Sequence, residues 1–237
     1  VIDQLPPGRK PIETRHYRTS QRHLLHQLID AELRKGRQAY FVYPLIDENE
    51  KLDLLALEQG YEAVREAFPE WKVGRVHGKM KPIEKEEAMR EFSTYETQIL
   101  VSTTVIEVGV NVPNASVMVV ENAERFGLAQ LHQLRGRVGR GAEQSYCILV
   151  TKDNLAETTR QRMEIMVETT DGFVIAEADM KFRGPGDLEG TAQSGLPFDL
   201  KIAHLVGDTA LMAEAREAAA RILETDTTRQ TPQYAPI

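Results

Sequence analysis

Short apolar runs alternate with longer amphipathic segments through the first 151 residues, and this alternation constrains the fold more than any other feature of the sequence. The runs have the length and the aliphatic content of strands that are buried on both faces. The segments between them carry apolar residues at spacings of three and four, which predicts helices. Strands are predicted at residues 12–17, 39–46, 72–77, 98–102, 116–121 and 145–151.

Helices are predicted between these strands, at residues 20–35, 51–68, 82–92 and 128–140. Pro82 suits the first turn of the third helix, where its missing N–H leaves no hydrogen bond unmade. Repeated strand–helix–strand units make right-handed crossovers and build a parallel sheet with helices on both faces. The predicted fold class is therefore α/β.

The strands stop after Thr151. Helices are predicted at residues 153–170 and 172–181, the latter with Phe173, Ile175, Ala176 and Met180 inward, and again at 201–224. Residues 183–186 must form a turn, since Gly-Pro-Gly cannot continue a helix. These signals divide the chain into a first domain at 1–152, a helical extension at 153–225 and a polar, flexible tail at 226–237.

Composition narrows the class of protein. The net charge is −7, so any contact with nucleic acid has to be local rather than a property of the whole surface. No apolar run is long enough to span a membrane and no signal peptide opens the chain. The single cysteine, Cys147, cannot form an intrachain disulfide, and spacing typical of metal ligands is absent. We expect a cytoplasmic protein with no metal site.

An arginine-rich stretch at residues 130–141 carries the strongest chemical signal. Read as a helix, it places Gln133, Arg137 and Arg140 on one face, at i, i+4 and i+7. Gly136 and Gly139 leave bare backbone beside the guanidinium groups, and arginine binds phosphate oxygens through paired hydrogen bonds. A polyphosphate is the ligand that this pattern favours. The alternative is a solvated arginine-rich helix whose glycines mark a frayed end.

Two predicted strands end in polar residues that suit a phosphate backbone. Thr103 and Thr104 follow one strand, and His77-Gly78 follows another. Further along the first loop, Glu107 and Asn111 are four residues apart and could face one ligand together. The alternatives are a loop capped by a threonine and a histidine that satisfies local hydrogen bonds. The chain contains no phosphate-loop motif and no acidic cluster suited to Mg²⁺, so its arginines would complete only half of a nucleotide site.

These segments together resemble superfamily 2 helicases. Residues 133–140 resemble the sixth helicase motif, 102–113 the fifth, and 40–44 and 76–79 the fourth motif and its neighbour. The amino-acid sequence at residues 5–9, 77–82 and 126–133 is similar to that of the RecG family of bacterial branch-migration helicases. Residues 171–176 and 183–195 resemble the translocation motif that this family shares with the transcription-repair coupling factor.

The resemblance implies a RecA-like second motor lobe, with ATP and Mg²⁺ bound mainly by another lobe. It implies arginine fingers at Arg137 and Arg140. Nucleotide contacts would come from Gln133, Gly109, Asn111 and Glu107, and DNA contacts from Thr103, Thr104, His77 and Gly78. The translocation motif would include Arg183, Gly184, Pro185, Gly186 and Gln193. The family's usual aspartate is replaced here by Asn111, whose amide oxygen can still accept a hydrogen bond from a ribose.

The function that follows from the resemblance is the C-terminal half of an ATP-dependent double-stranded-DNA translocase that remodels stalled forks and Holliday junctions. Its expected partners are branched DNA and the N-terminal RecA-like and wedge domains of the same protein. The whole protein is expected to be a monomer and to associate with the bacterial nucleoid in the cytoplasm. The 237 residues alone are expected not to hydrolyse ATP. The alternatives are the motor lobe of the coupling factor and a non-catalytic domain that docks nucleic acid.

Overall fold

Six parallel strands form one sheet in the computed structural model, which describes residues 10–45, 50–103, 112–141, 143–183 and 214. Their order across the sheet is β1-β6-β5-β2-β4-β3, and every pairing is parallel. All six lie where the sequence predicts them, although β2 ends three residues earlier, before Pro44. The strands are β1 (Glu13–Arg18), β2 (Gln38–Tyr43), β3 (Val73–Val76), β4 (Ile99–Thr103), β5 (Ala115–Val120) and β6 (Tyr146–Thr151).

Helices cover both faces of this sheet, so the predicted α/β class with a parallel sheet is confirmed. α1 and α2 bury Leu25, Ile29 and Leu57 against side chains such as Phe41 and Val119 on one face. On the other face α3 packs on β3 and α4 on β5, while α5 packs on β1 and α4. The helices are α1 (Arg22–Arg34), α2 (Glu50–Ala67), α3 (Pro82–Ser93), α4 (Leu128–Arg135), α5 (Glu157–Glu168) and α6 (Gly172–Arg183).

The prediction that one helix spans residues 128–140 is wrong, because α4 ends at Arg135. Gly139 has a φ of 76°, a left-handed conformation that no helix interior contains and that side chains with a Cβ rarely adopt. The arginines Arg137 and Arg140 therefore follow the helix in a turn, and they do not share a helical face with Gln133.

Because all six strands run in the same direction, the loops at their amino ends and the loops at their carboxyl ends lie along opposite edges of the sheet. All strands run from one edge, which holds their amino ends, to the other, which holds their carboxyl ends. β5 arrives at the carboxyl edge with Val120, and α4 then returns across the face of the sheet to the amino edge, where the chain enters β6. The residues before and after α4 therefore lie at opposite edges, about 15–20 Å apart for strands of this length.

α5 and the start of α6 form the predicted helical pair after the last strand. Ile175 and Ala178 are buried, but Ala176 is exposed, Phe173 is 77% exposed and Met180 is 43% exposed, so the expectation that these three point inward is wrong. The chain divides into two compact units, and the division falls between Asp179 and Met180. The predicted domain limits at 152 and 225 remain predictions, and the helix at 201–224 and the tail at 226–237 lie outside the described residues, apart from a helical Glu214.

The described helices include none with the length and apolar character needed to cross a membrane. Cys147 is fully buried in β6, which raises the pKa of its thiol to about 12. A thiol in this state is inert, because the thiolate is the reactive form and the reagent cannot reach it.

We expect a maleimide at pH 8 to label Cys147 at least about 100-fold more slowly in the folded protein than in guanidinium, since labelling requires opening of the sheet. The rate can be followed by mass spectrometry, with the unfolded chain as the control. Labelling of the native protein at the rate of the unfolded chain would contradict a buried Cys147.

Candidate functional site

The arginine segment lies at the amino edge of the sheet. A Cβ added to Gly139 would come within 2.7 Å of Cγ1 of Ile12, which precedes β1, and one added to Gly141 within 2.9 Å of the carbonyl oxygen of Pro113, which precedes β5. Arg37, just before β2, pairs with Glu143 at 3.1 Å. The glycines thus allow the chain to turn and to pack closely against the domain itself. This is a structural role, whereas the sequence analysis explained the glycines of this segment by the approach of a phosphate ligand.

Arg137 and Arg140 are both exposed. Within the described part of the chain, Arg137 makes no ion pair. Both guanidinium groups lie close enough to the buried phenol of Tyr40 to oppose the effect of burial, which raises the pKa of that phenol to about 12. The two arginines therefore sit near one another in space although they do not share a helical face. Gln133 is exposed on α4, two residues before the helix ends at Arg135.

A second group of predicted residues lies at the carboxyl edge. Thr103 is the last residue of β4 and 4% exposed, and His77 follows β3 directly. The next residue, Gly78, is exposed, and its missing side chain faces open space. Its carbonyl accepts a hydrogen bond from Nζ of Lys85 at 2.7 Å. Burial lowers the pKa of His77, so its imidazole is neutral at pH 7. The candidate nucleotide and DNA residues thus occupy opposite edges of the sheet.

Eight of the predicted site residues lie outside the described part of the chain, and Arg183 is the last residue of α6. The segment that carries the fifth motif begins at Thr103 on the carboxyl edge and ends at Val112 on the amino edge, so its two ends are fixed at the two candidate regions. The residues outside the description are Thr104, Glu107, Gly109, Asn111, Gly184, Pro185, Gly186 and Gln193.

Arg135, the last residue of α4, is a functional candidate that the sequence reasoning missed. It is 2% exposed, and its Nη1 donates to the carbonyl oxygens of Met166 at 3.0 Å and Thr169 at 2.8 Å and to Oγ1 of Thr14 at 3.3 Å. Burial lowers its pKa, and its Nη2 has no hydrogen-bond partner. Arg135 therefore joins the start of the arginine segment to the end of α5.

A second contact joins α4 to α6. The ring of His132 packs so closely on the backbone of Gly172 that an added Cβ there would lie 2.6 Å from its Cε1 atom. Burial and the neighbouring Arg135 lower the pKa of His132, while Asp171 acts in the opposite direction. Gly172 is the first residue of α6, so a Cβ at this position would force the His132 ring or the helix to shift.

The chain matches known proteins over most of its length. The family described as "Helicase conserved C-terminal domain" matches residues 20–142, which is more than half of the chain. The chain belongs to this family of helicase C-terminal domains. Residues 169–237 match the family described as "ATP-dependent DNA helicase RecG, domain 3, C-terminal".

Individual relatives agree with this membership. The chain is 52% identical to the RecG helicase of Synechocystis sp. over 95% of its length and 27% of the relative's, and 49% identical to that of Bacillus subtilis over 99% and 34%. It thus spans about a third of the length of these relatives. A structure of RecG bound to a three-way DNA junction matches 79% of this chain and 24% of its own, with a TM-score of 0.66 and 44% identity. Yeast Prp28, at 18% identity over 67% of this chain and 33% of its own and a TM-score of 0.51, shares the fold.

The described residues contain no group of three or more His, Cys, Asp or Glu side chains arranged to hold a metal ion. The groups that the described part of this helicase domain offers to a ligand are its arginines and its polar strand ends.

Replacing Arg135 with alanine should lower the free energy of unfolding by about 2–4 kcal/mol, because the carbonyl groups of Met166 and Thr169 lose a buried donor. Arg135→Met should cost less than Arg135→Ala, since methionine fills more of the space and leaves no buried charge. Denaturant unfolding measures both, with exposed Arg160→Ala as a nearly neutral control. Equal stability of wild type and Arg135→Ala would exclude this role for the guanidinium.

Proposed function

We propose that this chain is the second motor lobe of an ATP-dependent DNA helicase of the RecG type and that it completes an ATP site whose phosphate loop belongs to another RecA-like lobe. The observation that carries the proposal is the solvent-facing guanidinium of Arg137, beside Arg140, at the amino edge of a helicase C-terminal domain. An arginine without a carboxylate partner is ready to accept an anion from outside its own domain.

The amino edge suits a nucleotide triphosphate. Arg137 and Arg140 would bind the γ-phosphate and stabilise the negative charge that develops during its transfer, as arginine fingers do. Gln133 would orient the nucleotide from the exposed face of α4, with Glu107, Gly109 and Asn111 as further contacts from the fifth motif. Asn111 would accept a hydrogen bond from the ribose. Mg²⁺ would be held by the partner lobe together with the phosphates.

The carboxyl edge suits the DNA backbone. Thr103, Thr104, His77 and Gly78 would contact phosphates and sugars, which position a duplex without reading its sequence. The RecG relative solved on a three-way junction supports branched DNA as the substrate, and forks and Holliday junctions belong to that class. We further propose that the whole protein acts as a monomer at the nucleoid in the cytoplasm.

Coupling between the two edges would run through α4. When ATP draws Arg137 and Arg140 toward the partner lobe, Arg135 transmits the movement to the end of α5 through its two carbonyl contacts. His132 transmits it to the start of α6 through its contact with Gly172. α6 leads into the predicted translocation motif at Arg183, Gly184, Pro185, Gly186 and Gln193. The state with ATP bound and the state after hydrolysis would then place this motif at two different positions on DNA.

The two alternatives have less support. The translocation motif alone suits the transcription-repair coupling factor equally well, but relatives about 50% identical over most of the chain are RecG helicases. A non-catalytic docking domain gives no reason for an unpaired Arg137 beside Arg140.

In the intact protein, Arg137→Ala and Arg140→Ala should each lower kcat for ATP hydrolysis by about 10³-fold or more, because the transition-state charge loses its stabilising cation. Binding of a three-way junction should remain within about threefold of wild type, since these residues lie at the edge away from DNA. Arg65→Ala, an exposed arginine on α2, serves as the control.

Coupled ATPase assays and fluorescence anisotropy measure the two activities. Equal losses of hydrolysis and of junction binding, or wild-type hydrolysis in both variants, would argue against an arginine-finger role.

A further inference from the structure

Most arginines of this domain are held by carboxylates, which makes the exceptions informative. Three exposed arginines, namely Arg18, Arg125 and Arg137, form no ion pair within residues 10–45, 50–103, 112–141 and 143–183. Arg137 is already assigned to the nucleotide, whereas Arg18 and Arg125 are not assigned to any function. The arginines paired with Asp or Glu are Arg15, Arg22, Arg34, Arg37, Arg65, Arg75, Arg90 and Arg160.

Arg18 and Arg125 lie at the carboxyl edge, on the half of the sheet away from His77. Arg18 is the last residue of β1 and is paired in register with Thr151, the last residue of β6. Exposed Lys152 follows directly, and Arg125 ends the short 3-10 helix after β5. Because β1, β6 and β5 are neighbours and adjacent strands lie about 4.8 Å apart, the carboxyl ends of the three strands span roughly 10 Å, and Arg125 follows its strand by five residues.

None of the nearby carboxylates in the described part of the chain forms an ion pair with this row. Oδ1 of Asp153 accepts hydrogen bonds from the backbone N–H and the hydroxyl of Ser20, and Glu164 pairs with Arg160 at 2.9 Å. Glu121 is buried and held by both terminal nitrogens of Arg22. Oε2 of Glu124 is buried as well. Glu121 is thus buried and Glu124 partly buried, whereas Asp153 and Glu164 are exposed, as are Arg18, Lys152 and Arg125.

A groove of about 700 Å³ lies beside Arg18, between the end of β1 and the start of α5. Two cations, two carboxylates and two amides are among the residues that line it, namely Arg18, Arg160, Asp153, Glu164, Gln21 and Asn154. Glu164 is paired with Arg160, which leaves Arg18 and the two amides as groups that can donate hydrogen bonds to the phosphates and sugars of a nucleic-acid backbone.

We propose that Arg18, Lys152 and Arg125 form a phosphate-binding row that carries the DNA backbone across the β1–β6–β5 half of the carboxyl edge. The row continues the line begun by Thr103 and His77 at the ends of β4 and β3. It rests on the proposed function as a DNA motor and adds a second set of contacts to the same substrate. It also lengthens the footprint of this lobe on DNA to roughly the full width of the sheet.

The test is the salt dependence of junction binding by the intact protein. Each duplex phosphate contact contributes about 0.9 to the slope of log affinity against log salt concentration. The double variant Arg18→Gln with Arg125→Gln should therefore reduce the slope by about 1.8, so that its affinity loss between about 50 and 200 mM salt is roughly tenfold smaller than that of wild type.

Two control variants sharpen this test. Arg18→Lys with Arg125→Lys keeps the charge and should restore the wild-type slope, and Arg65→Gln with Arg90→Gln removes two paired arginines elsewhere and should not change it. If the variant with Arg18→Gln and Arg125→Gln keeps the wild-type slope, the proposal of a phosphate-binding row is wrong, while the proposed function as a DNA motor is unaffected. If junction binding by the wild-type protein does not depend on salt, that result would instead contradict the proposed function itself.

Discussion

The common direction of the six strands is the constraint on which the rest of the structure depends. It separates an amino edge from a carboxyl edge, and it makes each connecting helix carry the chain back across a face of the sheet. α4 is one of these returning helices, so the residues after it lie at the amino edge while strand ends such as Thr103 and His77 lie at the other. A nucleotide and a DNA backbone can then occupy the same small domain without competing for its surface.

Arg135 shows that burial energy alone does not decide which side chain occupies a core position. A guanidinium that is 2% exposed and has an unpaired Nη2 is costly to bury, and an apolar residue would cost less. Its Nη1 nevertheless fixes the carbonyl groups of Met166 and Thr169 relative to the end of α4, and directional hydrogen bonds do this in a way that apolar contacts cannot. Such a link suits a junction that must move as one piece.

The sequence was sufficient to predict the strands because each is buried and locally apolar, and Pro82 marked the start of α3 correctly. The end of α4 was not predictable in this way, since Gly139 is required by Ile12, a residue 127 positions earlier in the chain. Arg135 could have been found, because Leu128, Leu131 and Arg135 follow the spacing of a buried helical face. Phe173 was placed inward by periodicity alone, which says nothing about whether another element covers that face.

Charge pairing adds information about the site that neither the motifs nor the net charge of −7 contains. A carboxylate beside an arginine satisfies the guanidinium within the domain, as Glu62 does for Arg65, and reduces its attraction for an outside anion. Arginines left without such a partner keep their full charge for a ligand. Among the exposed arginines that the structure describes, those without an ion pair lie at the two edges, Arg137 at the amino edge and Arg18 and Arg125 at the carboxyl edge. Arg34 on α1 and Arg65 on α2 are paired. An acidic protein can thus hold exposed cations that are available to an anion at both ends of one sheet.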